Sequence, residues 1–194
     1  MRSNKGFTIV ELIIVLSLLC IILTGVLNFM GFSLEAVVDI KAQTIVQYEV
    51  NTVLRTLAND IRSATKPDLT IKSIVIYKDS TPGGKGERMD IYDYKDGKYI
   101  LISYKYEDNV LYRGVKEADN ANDIINEQVD YSTFLEGVIY PSEPETEMFE
   151  DVTSNPNSDR RTININFSAQ DKEGRIRKPV VITATYTSRS KGMP

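Results

Sequence analysis

Glu11 is the residue of this chain whose chemistry fits its surroundings least. It stands at the head of an apolar run, because residues 12–34 contain no Asp, Glu, Lys or Arg. A carboxylate in a low-dielectric environment is costly unless it is paired with a cation or protonated. An ionisable side chain at such a place is a functional hypothesis by default. We therefore expect Glu11 to need a cationic partner.

The element that positions Glu11 is predicted to be a membrane helix. A helix needs roughly 20 residues to cross the hydrocarbon core of a bilayer, and the apolar run is long enough. Arg2 and Lys5 precede it, so the N-terminus is expected in the cytoplasm and the C-terminal domain outside it. An ordinary secretory signal peptide also has a basic start, but residues 28–34 offer no small-residue cleavage site. The chain is thus expected to be a single-pass protein of the inner, or cytoplasmic, membrane.

This N-terminus resembles that of type IV prepilins and type II secretion pseudopilins. The matching residues are Lys5, Gly6, Phe7, Thr8, Val10, Glu11 and Leu12, followed by the apolar run. The resemblance implies that a membrane prepilin peptidase cuts between Gly6 and Phe7 and that the new amine of Phe7 is N-methylated. It also implies that Glu11 meets the amine of a neighbouring subunit, so that other pilin subunits are partners in a cell-surface filament.

The chain divides into four segments on this pattern. Residues 1–6 are the leader peptide, 7–34 the transmembrane and filament-core helix, 35–66 its amphipathic continuation, and 67–194 a β-rich globular domain. Many major pilins have a proline midway through the apolar segment, whereas this chain has Gly25, Asn28 and Gly31 there. Those glycines either let the helix stretch locally or allow close helix–helix approach.

The amphipathic continuation is predicted from one stripe of aliphatic residues. Val46, Val50, Val53, Leu57 and Ile61 recur at helical spacing, which places them on one face. The helix is expected to run to about residue 65. Proline at position 67 then ends it, since the residue before a proline disfavours helical geometry.

Beyond the helix the apolar period changes to two, which predicts strands. They are expected at 69–78, 87–94, 99–107, 110–115, 160–169 and 178–187, with a short strand at 134–140 in an otherwise irregular 117–159. Asp96-Gly97 and Asp108-Asn109 are predicted hairpin turns. The fold class is α+β, with the long helix packed on an antiparallel sheet, a pilin-like arrangement. Residues 102–113 also look like the matching hairpin of large minor pilins.

Charge is distributed unevenly along the domain. Residues 117–159 carry 12 Asp and Glu and no Lys or Arg, whereas residues 160–194 carry 8 Lys and Arg and 2 acids. A solvated acidic region beside a basic strand pair is favoured over an electrostatic interface between subunits. The oxygen-rich residues 119–123 lack the spaced glycine and final Glu of an EF-hand, so a solvated loop is expected and no metal.

Composition argues against an enzyme. The chain has no histidine, which removes the commonest general base and the commonest metal ligand. Ser73 and Ser103 have no candidate base, and Cys20 lies in the apolar run as a small buried side chain. The formal net charge of −4 gives no strong nucleic-acid signal. No catalytic residue and no cofactor is therefore expected.

The sequence is best interpreted as a minor pilin that assembles, after leader cleavage and N-methylation, into a type IV pilus, at its tip or in its initiation. A type II secretion or competence pseudopilin is the alternative within the same family. A membrane-anchored adhesin is an alternative of another class, acting through the acidic region and the tyrosines. At strand spacing, however, Tyr92, Tyr94, Tyr104 and Tyr106 are expected in cross-strand pairs rather than on an adhesive surface.

Overall fold

The computed structural model describes residues 8–68, 70–78, 81–82, 85–125, 128–142, 146–155, 157–172, 176 and 178–189. Its helices are α1 (Ile9–Ser63) and α2 (Ala121–Ile125). Its strands are β1 (Ile74–Lys78), β2 (Thr81–Pro82), β3 (Lys85–Gly86), β4 (Arg88–Lys95), β5 (Lys98–Glu107), β6 (Val110–Ala118), β7 (Tyr131–Glu136), β8 (Val138–Ile139), β9 (Phe149–Asp151), β10 (Thr162–Ala169) and β11 (Val180–Thr187). The chain divides into two compact units, Met1–Lys41 and Ala42–Pro194, and α1 belongs to both.

The first unit consists, in its described part, of the apolar half of α1. Among the described residues α1 is the one helix long and apolar enough to cross a membrane. The hydroxyls of Ser17, Thr24 and Ser33 each donate to the carbonyl four residues earlier, at 2.8, 2.8 and 2.9 Å. Because these hydroxyls bond within the helix, they need no partner from water, which suits a lipid environment.

The second unit is built on the other half of α1. The predicted stripe of Val46, Val50, Val53, Leu57 and Ile61 is buried, with at most 4% of any of these residues exposed. The helix ends at Ser63, two residues before the predicted end. The residues of the stripe thus share one buried face of the helix.

The first sheet is antiparallel and has the order β2-β1-β4-β5-β6-β7. Strands β4 to β7 follow one another as a meander. The turn between β4 and β5 has φ of 53° at Asp96 and 83° at Gly97, and the turn between β5 and β6 has φ of 50° at Asp108 and 63° at Asn109. Positive φ at both central residues is the geometry of a two-residue hairpin turn, so both predicted turns are confirmed.

The second sheet has the order β11-β10-β9-β3, and β8 also pairs with β10. Gly137 stands between β7 of the first sheet and β8 of the second. Gly137 has φ of 69°, and a Cβ there would lie 2.2 Å from the carbonyl oxygen of Gln170. The backbones of Gly137 and Gln170 lie this close because the Gln170 amide donates a hydrogen bond to the Gly137 carbonyl at 2.9 Å. Glycine is thus required here by both backbone angle and space.

Two buried clusters hold the second unit together. The larger joins the stripe of α1 to both sheets, for example to Ile91 and Tyr104 of the first and to Ile163 and Phe167 of the second. The smaller lies on the opposite face of the first sheet, where Ile124 of α2 packs with Tyr92 and Leu101. The predicted α+β class, a long N-terminal helix with antiparallel sheet, is confirmed.

Several strand predictions were wrong in detail. The strand expected at 69–78 begins only at Ile74, because the preceding described residues form bends. The single strand expected at 134–140 is two strands in different sheets, since Gly137 breaks it. The segment 117–159 also contains α2 and β9, which are too short to show a periodic pattern.

Gly137 is required both by its positive φ and by the close contact with the Gln170 backbone. Alanine substitutions at Gly137 and Gly97 separate these two contributions. Gly97 also has positive φ, 83°, but no atom lies within 4 Å of its would-be Cβ. We expect Gly97→Ala to cost about 1–2 kcal/mol, from backbone strain alone. Gly137→Ala should lower the free energy of unfolding further, because the new methyl group collides with backbone. Urea unfolding of the full chain in detergent measures both, and equal losses would contradict this account.

Candidate functional site

The described part of the chain begins just inside the predicted processing site. Gly6 and Phe7, the predicted cleavage pair, lie outside the described residues, and Thr8 is the residue that precedes α1. The Thr8 amide donates to Oε2 of Glu11 at 2.9 Å, and the Thr8 hydroxyl donates to the same oxygen at 3.0 Å. The Glu11 amide in turn donates to the Thr8 hydroxyl at 3.3 Å. This reciprocal pattern is a capping box, which satisfies amides at the start of a helix.

Glu11 therefore has a local role that its position in the apolar run did not suggest. The T-x-x-E spacing was visible in the sequence and is the signal that predicts such a cap. Both bonds from Thr8 use Oε2, and among the described residues Oε1 receives no donor. Chemically, this leaves one carboxylate oxygen able to accept a hydrogen bond from a cationic amine.

A polar cluster ties α1 to the first sheet within the second unit. Oδ2 of Asp60 accepts hydrogen bonds from Arg113 Nη2 at 3.0 Å, from Arg113 Nε at 3.1 Å and from the Tyr104 hydroxyl at 2.5 Å. The Asp60 side chain is only 14% exposed. Since a half-buried carboxylate needs partners, Asp60 fixes which part of the helix faces β5 and β6.

A second polar cluster lies on the opposite face of the first sheet. The Arg88 guanidinium donates two bonds to Asp90, at 3.0 and 2.6 Å, and the Ser103 hydroxyl donates to Asp90 Oδ1 at 2.5 Å. The Tyr131 hydroxyl lies 2.8 Å from that of Ser103. Gly114 is paired with both Ser103 and Tyr131 in the sheet register. A Cβ at Gly114 would lie 2.3 Å from Cγ1 of Val129 and 2.7 Å from the Asp130 carbonyl oxygen, so glycine is needed for the close packing of these residues.

This second cluster does not have the form of an active site. Ser103 is fully buried and Asp90 is 1% exposed, so no substrate reaches the hydroxyl. The two-pronged pairing with Arg88 occupies both carboxylate oxygens of Asp90. A buried network whose members are all bonded is instead a device for specifying one packing of the core.

The tyrosines that had suggested an adhesive surface belong to the sheet and its cores. Tyr104 is fully buried and Tyr92 is 3% exposed. Tyr94 packs on Tyr99, its register partner, with 4.9 Å between ring centroids, and Tyr106 packs on Tyr140 at 5.3 Å. The expectation of cross-strand and core contacts is confirmed.

Several carboxylates of the acidic segment 117–159 are paired within the chain. Its carboxylates form ion pairs with basic residues from elsewhere in the sequence: Lys66 with Asp159, Lys78 with Glu147, Lys98 with Glu117, Arg161 with Asp151, and Lys172 with Glu136. In the oxygen-rich stretch 119–123, the Asn120 side-chain amide donates to the Asp123 carboxylate at 3.1 Å. The cations come from several parts of the sequence, and none of the five lies in β10 or β11, so these pairs do not place the acidic segment against the predicted basic strand pair.

Comparison with known families places residues 1–27 in the prokaryotic N-terminal methylation motif, which marks type IV prepilin-like proteins. Comparisons with curated proteins and with solved structures gave no match for the chain. The chain thus carries the N-terminal motif of a prepilin-like protein, on a helix whose apolar side chains are exposed from Ile9 to Val38. That helix is consistent with a membrane anchor.

Tyr104 makes the stability of the second unit depend on pH in the alkaline range. Burial raises the pKa of the Tyr104 phenol, and the nearby Asp60 carboxylate raises it further. In the unfolded chain a tyrosine titrates at about pH 10. Since the folded pKa is the higher one, this contribution to stability is complete below pH 10 and is lost as pH rises above it. We expect the free energy of unfolding to fall above pH 10.

The measurement is urea unfolding between pH 9 and 11.5, followed by circular dichroism. Tyr104→Phe removes the titrating group, so the free energy of unfolding of that variant should fall less steeply with pH, whatever its value at neutral pH. Identical slopes for the two proteins would show that Tyr104 does not contribute.

Proposed function

We propose that this chain is a minor pilin, a structural subunit that joins a type IV pilus at its tip or during its initiation. The observation that carries the proposal is the methylation motif at residues 1–27, set on an exposed apolar helix with one acid near its start. The subunit waits in the cytoplasmic membrane, with its N-terminus in the cytoplasm and the β-rich domain on the other side. After assembly it is part of a filament at the cell surface.

Maturation in this proposal removes residues 1–6. A prepilin peptidase hydrolyses the peptide bond between Gly6 and Phe7, and the released amine of Phe7 is then N-methylated. A methylated amine remains cationic at neutral pH. It can therefore pair with the Glu11 carboxylate of a neighbouring subunit when the helices leave the lipid and pack together.

The capping box supports this role for Glu11. Thr8 holds the carboxylate at the helix start through Oε2, which leaves Oε1 as acceptor for the incoming amine. Helix N-termini also favour negative charge, which suits a carboxylate at this position. Thr8 is thus a positioning residue, and Glu11 is the residue that contacts the neighbouring subunit.

The second unit supports a minor rather than a repeating subunit. It contains two sheets and two buried clusters, more structure than a subunit needs in order to pack through its helix. A pseudopilin of a type II secretion or competence system would use the same N-terminal chemistry. Loss of pili after deletion of the gene favours the pilus, whereas loss of secretion or of DNA uptake with normal pili favours the alternatives.

Two substitutions distinguish the proposed role of Glu11 in assembly from its role in the capping box. Glu11→Ala removes both the cap and the proposed contact with the neighbouring amine, whereas Thr8→Val removes only the hydroxyl part of the cap. We expect Glu11→Ala to reduce incorporation into sheared filaments at least tenfold, because an amine left unpaired in a low-dielectric bundle is costly. Thr8→Val should reduce it far less. Quantitative immunoblotting of filament and membrane fractions measures both, and equal losses would assign the effect to capping.

Processing is tested on the native protein by intact-mass measurement. We expect a chain that begins at Phe7 and carries one methyl group on its terminal amine. Deletion of the peptidase gene should restore a chain that begins at Met1. A native chain that still begins at Met1 in cells containing the peptidase would contradict the proposed maturation.

A further inference from the structure

The outer edge of β11 is the longest regular strand edge that the described part of the chain leaves unpaired. β11 pairs with β10 over its whole length, from Val180 with Ala169 to Thr187 with Thr162, without a break in register. No described strand lies on its other side. The strand contains no charged residue, no glycine and no proline. Such an edge is a ready template for pairing with another strand.

The register shows which backbone groups point away from the sheet. The Ser188 amide donates to the Arg161 carbonyl at 2.8 Å, so Arg161 and Ser188 form a hydrogen-bonded pair. Because such pairs alternate along an antiparallel ladder, the amides and carbonyls of Val181, Thr183, Thr185 and Thr187 point outward. The side chains of the same four residues are exposed. The edge therefore offers four donors and four acceptors in an extended row.

The other sheet edges are blunted in the ways by which proteins usually prevent strand addition. β2 and β3 are two residues long. The pairing of β7 with β6 is interrupted by an irregularity between Leu111 and Tyr112, and β7 ends in Glu136. Short strands, bulges and charged residues at an edge all oppose pairing with another chain. β11 has none of these features within Val180–Thr187.

Basic side chains flank the edge and indicate what it would accept. Lys178 precedes β11 and Arg189 follows it, and both are exposed. The backbone of Arg189 bonds to that of Arg62, another exposed arginine, at 3.4 Å. A partner strand that is uncharged in its middle and acidic at its ends would match this distribution, whereas a second copy of β11 would bring like charges together.

We propose that the β11 edge binds an extended segment of a partner protein that is uncharged in its centre and carries Asp or Glu at both ends. The segment adds as a further strand through the outward amides and carbonyls of Val181, Thr183, Thr185 and Thr187. Beside the first half of β11, Val181 and Thr183 line a groove of about 380 Å³ together with Pro141 and Phe167. This groove has room for a side chain of the added strand. The contact is separate from the helix contacts proposed above and does not depend on them.

A pair of synthetic peptides tests the proposal on the full chain in detergent. Both carry the uncharged centre Thr-Val-Thr-Val-Thr-Val, one with two Glu residues at each end and the other with two Lys residues at each end. We expect the Glu-ended peptide to bind roughly tenfold more tightly at low salt, with the difference shrinking as salt screens the flanking charges. Fluorescence anisotropy of labelled peptide measures the two affinities.

Amide hydrogen exchange with residue resolution locates the bound peptide. Binding should slow exchange at Val181, Thr183, Thr185 and Thr187, whereas the alternate residues of β11 already bond to β10 and should change little. Thr183→Pro removes one outward amide without touching the β10 ladder, so it should weaken binding while the chain stays folded. Thr183→Val keeps that amide and should bind as the natural protein does.

Three results would overturn the proposal. One is equal binding of the two peptides at low salt, and another is binding that leaves the four outward amides unprotected. The third is concentration-dependent dimerisation through β11, detected by sedimentation in density-matched detergent and abolished by Thr183→Pro. That result would assign the edge to a second copy instead.

Discussion

The burial of one aliphatic stripe on the second half of α1 is the constraint on which the rest of the second unit depends. Val46, Val50, Val53, Leu57 and Ile61 belong to a single cluster that includes residues of both sheets. Burying each such side chain contributes about 1.5–3 kcal/mol. Each sheet needs both this stripe and the other sheet in order to bury its inner face. The hydrogen bonds of Asp60 then select the rotation of the helix at which the stripe faces inward.

The features that the sequence predicted well are those with a repeated local signal. Several residues in succession specify each of three features: the helical period of the stripe, the alternation along β4, β5, β6, β10 and β11, and the two hairpin turns. Tertiary contacts therefore had little local preference to override. The N-terminal motif could also be recognised from the sequence, because a basic leader, an acid and an apolar run occur together within 34 residues. Its functional residues Gly6 and Phe7 remain predictions, since they lie outside the described residues.

The features that the sequence did not reveal depend on single residues and distant partners. The role of Asp60 was not predicted, because Arg113 and Tyr104, which bind it, are far away in the chain. Gly137 looked like an interior residue of one strand, although it separates β7 of the first sheet from β8 of the second. α2 and β9 are too short to show periodicity. The spacing of Thr8 and Glu11 is that of a capping box. The cost of an acid in an apolar run had instead indicated a cationic partner for Glu11.

The order of the elements along the chain has a consequence for biosynthesis. The stripe on α1 is made first, whereas β10 and β11, which help to cover it, are made last. At the usual rate of translation, roughly ten seconds separate Ile61 from Thr187. During that interval the aliphatic face has no native cover from the second sheet. A nascent chain of this design therefore gains from early membrane insertion of the preceding apolar residues or from a chaperone that shields the stripe, and its domain completes its core only near the end of synthesis.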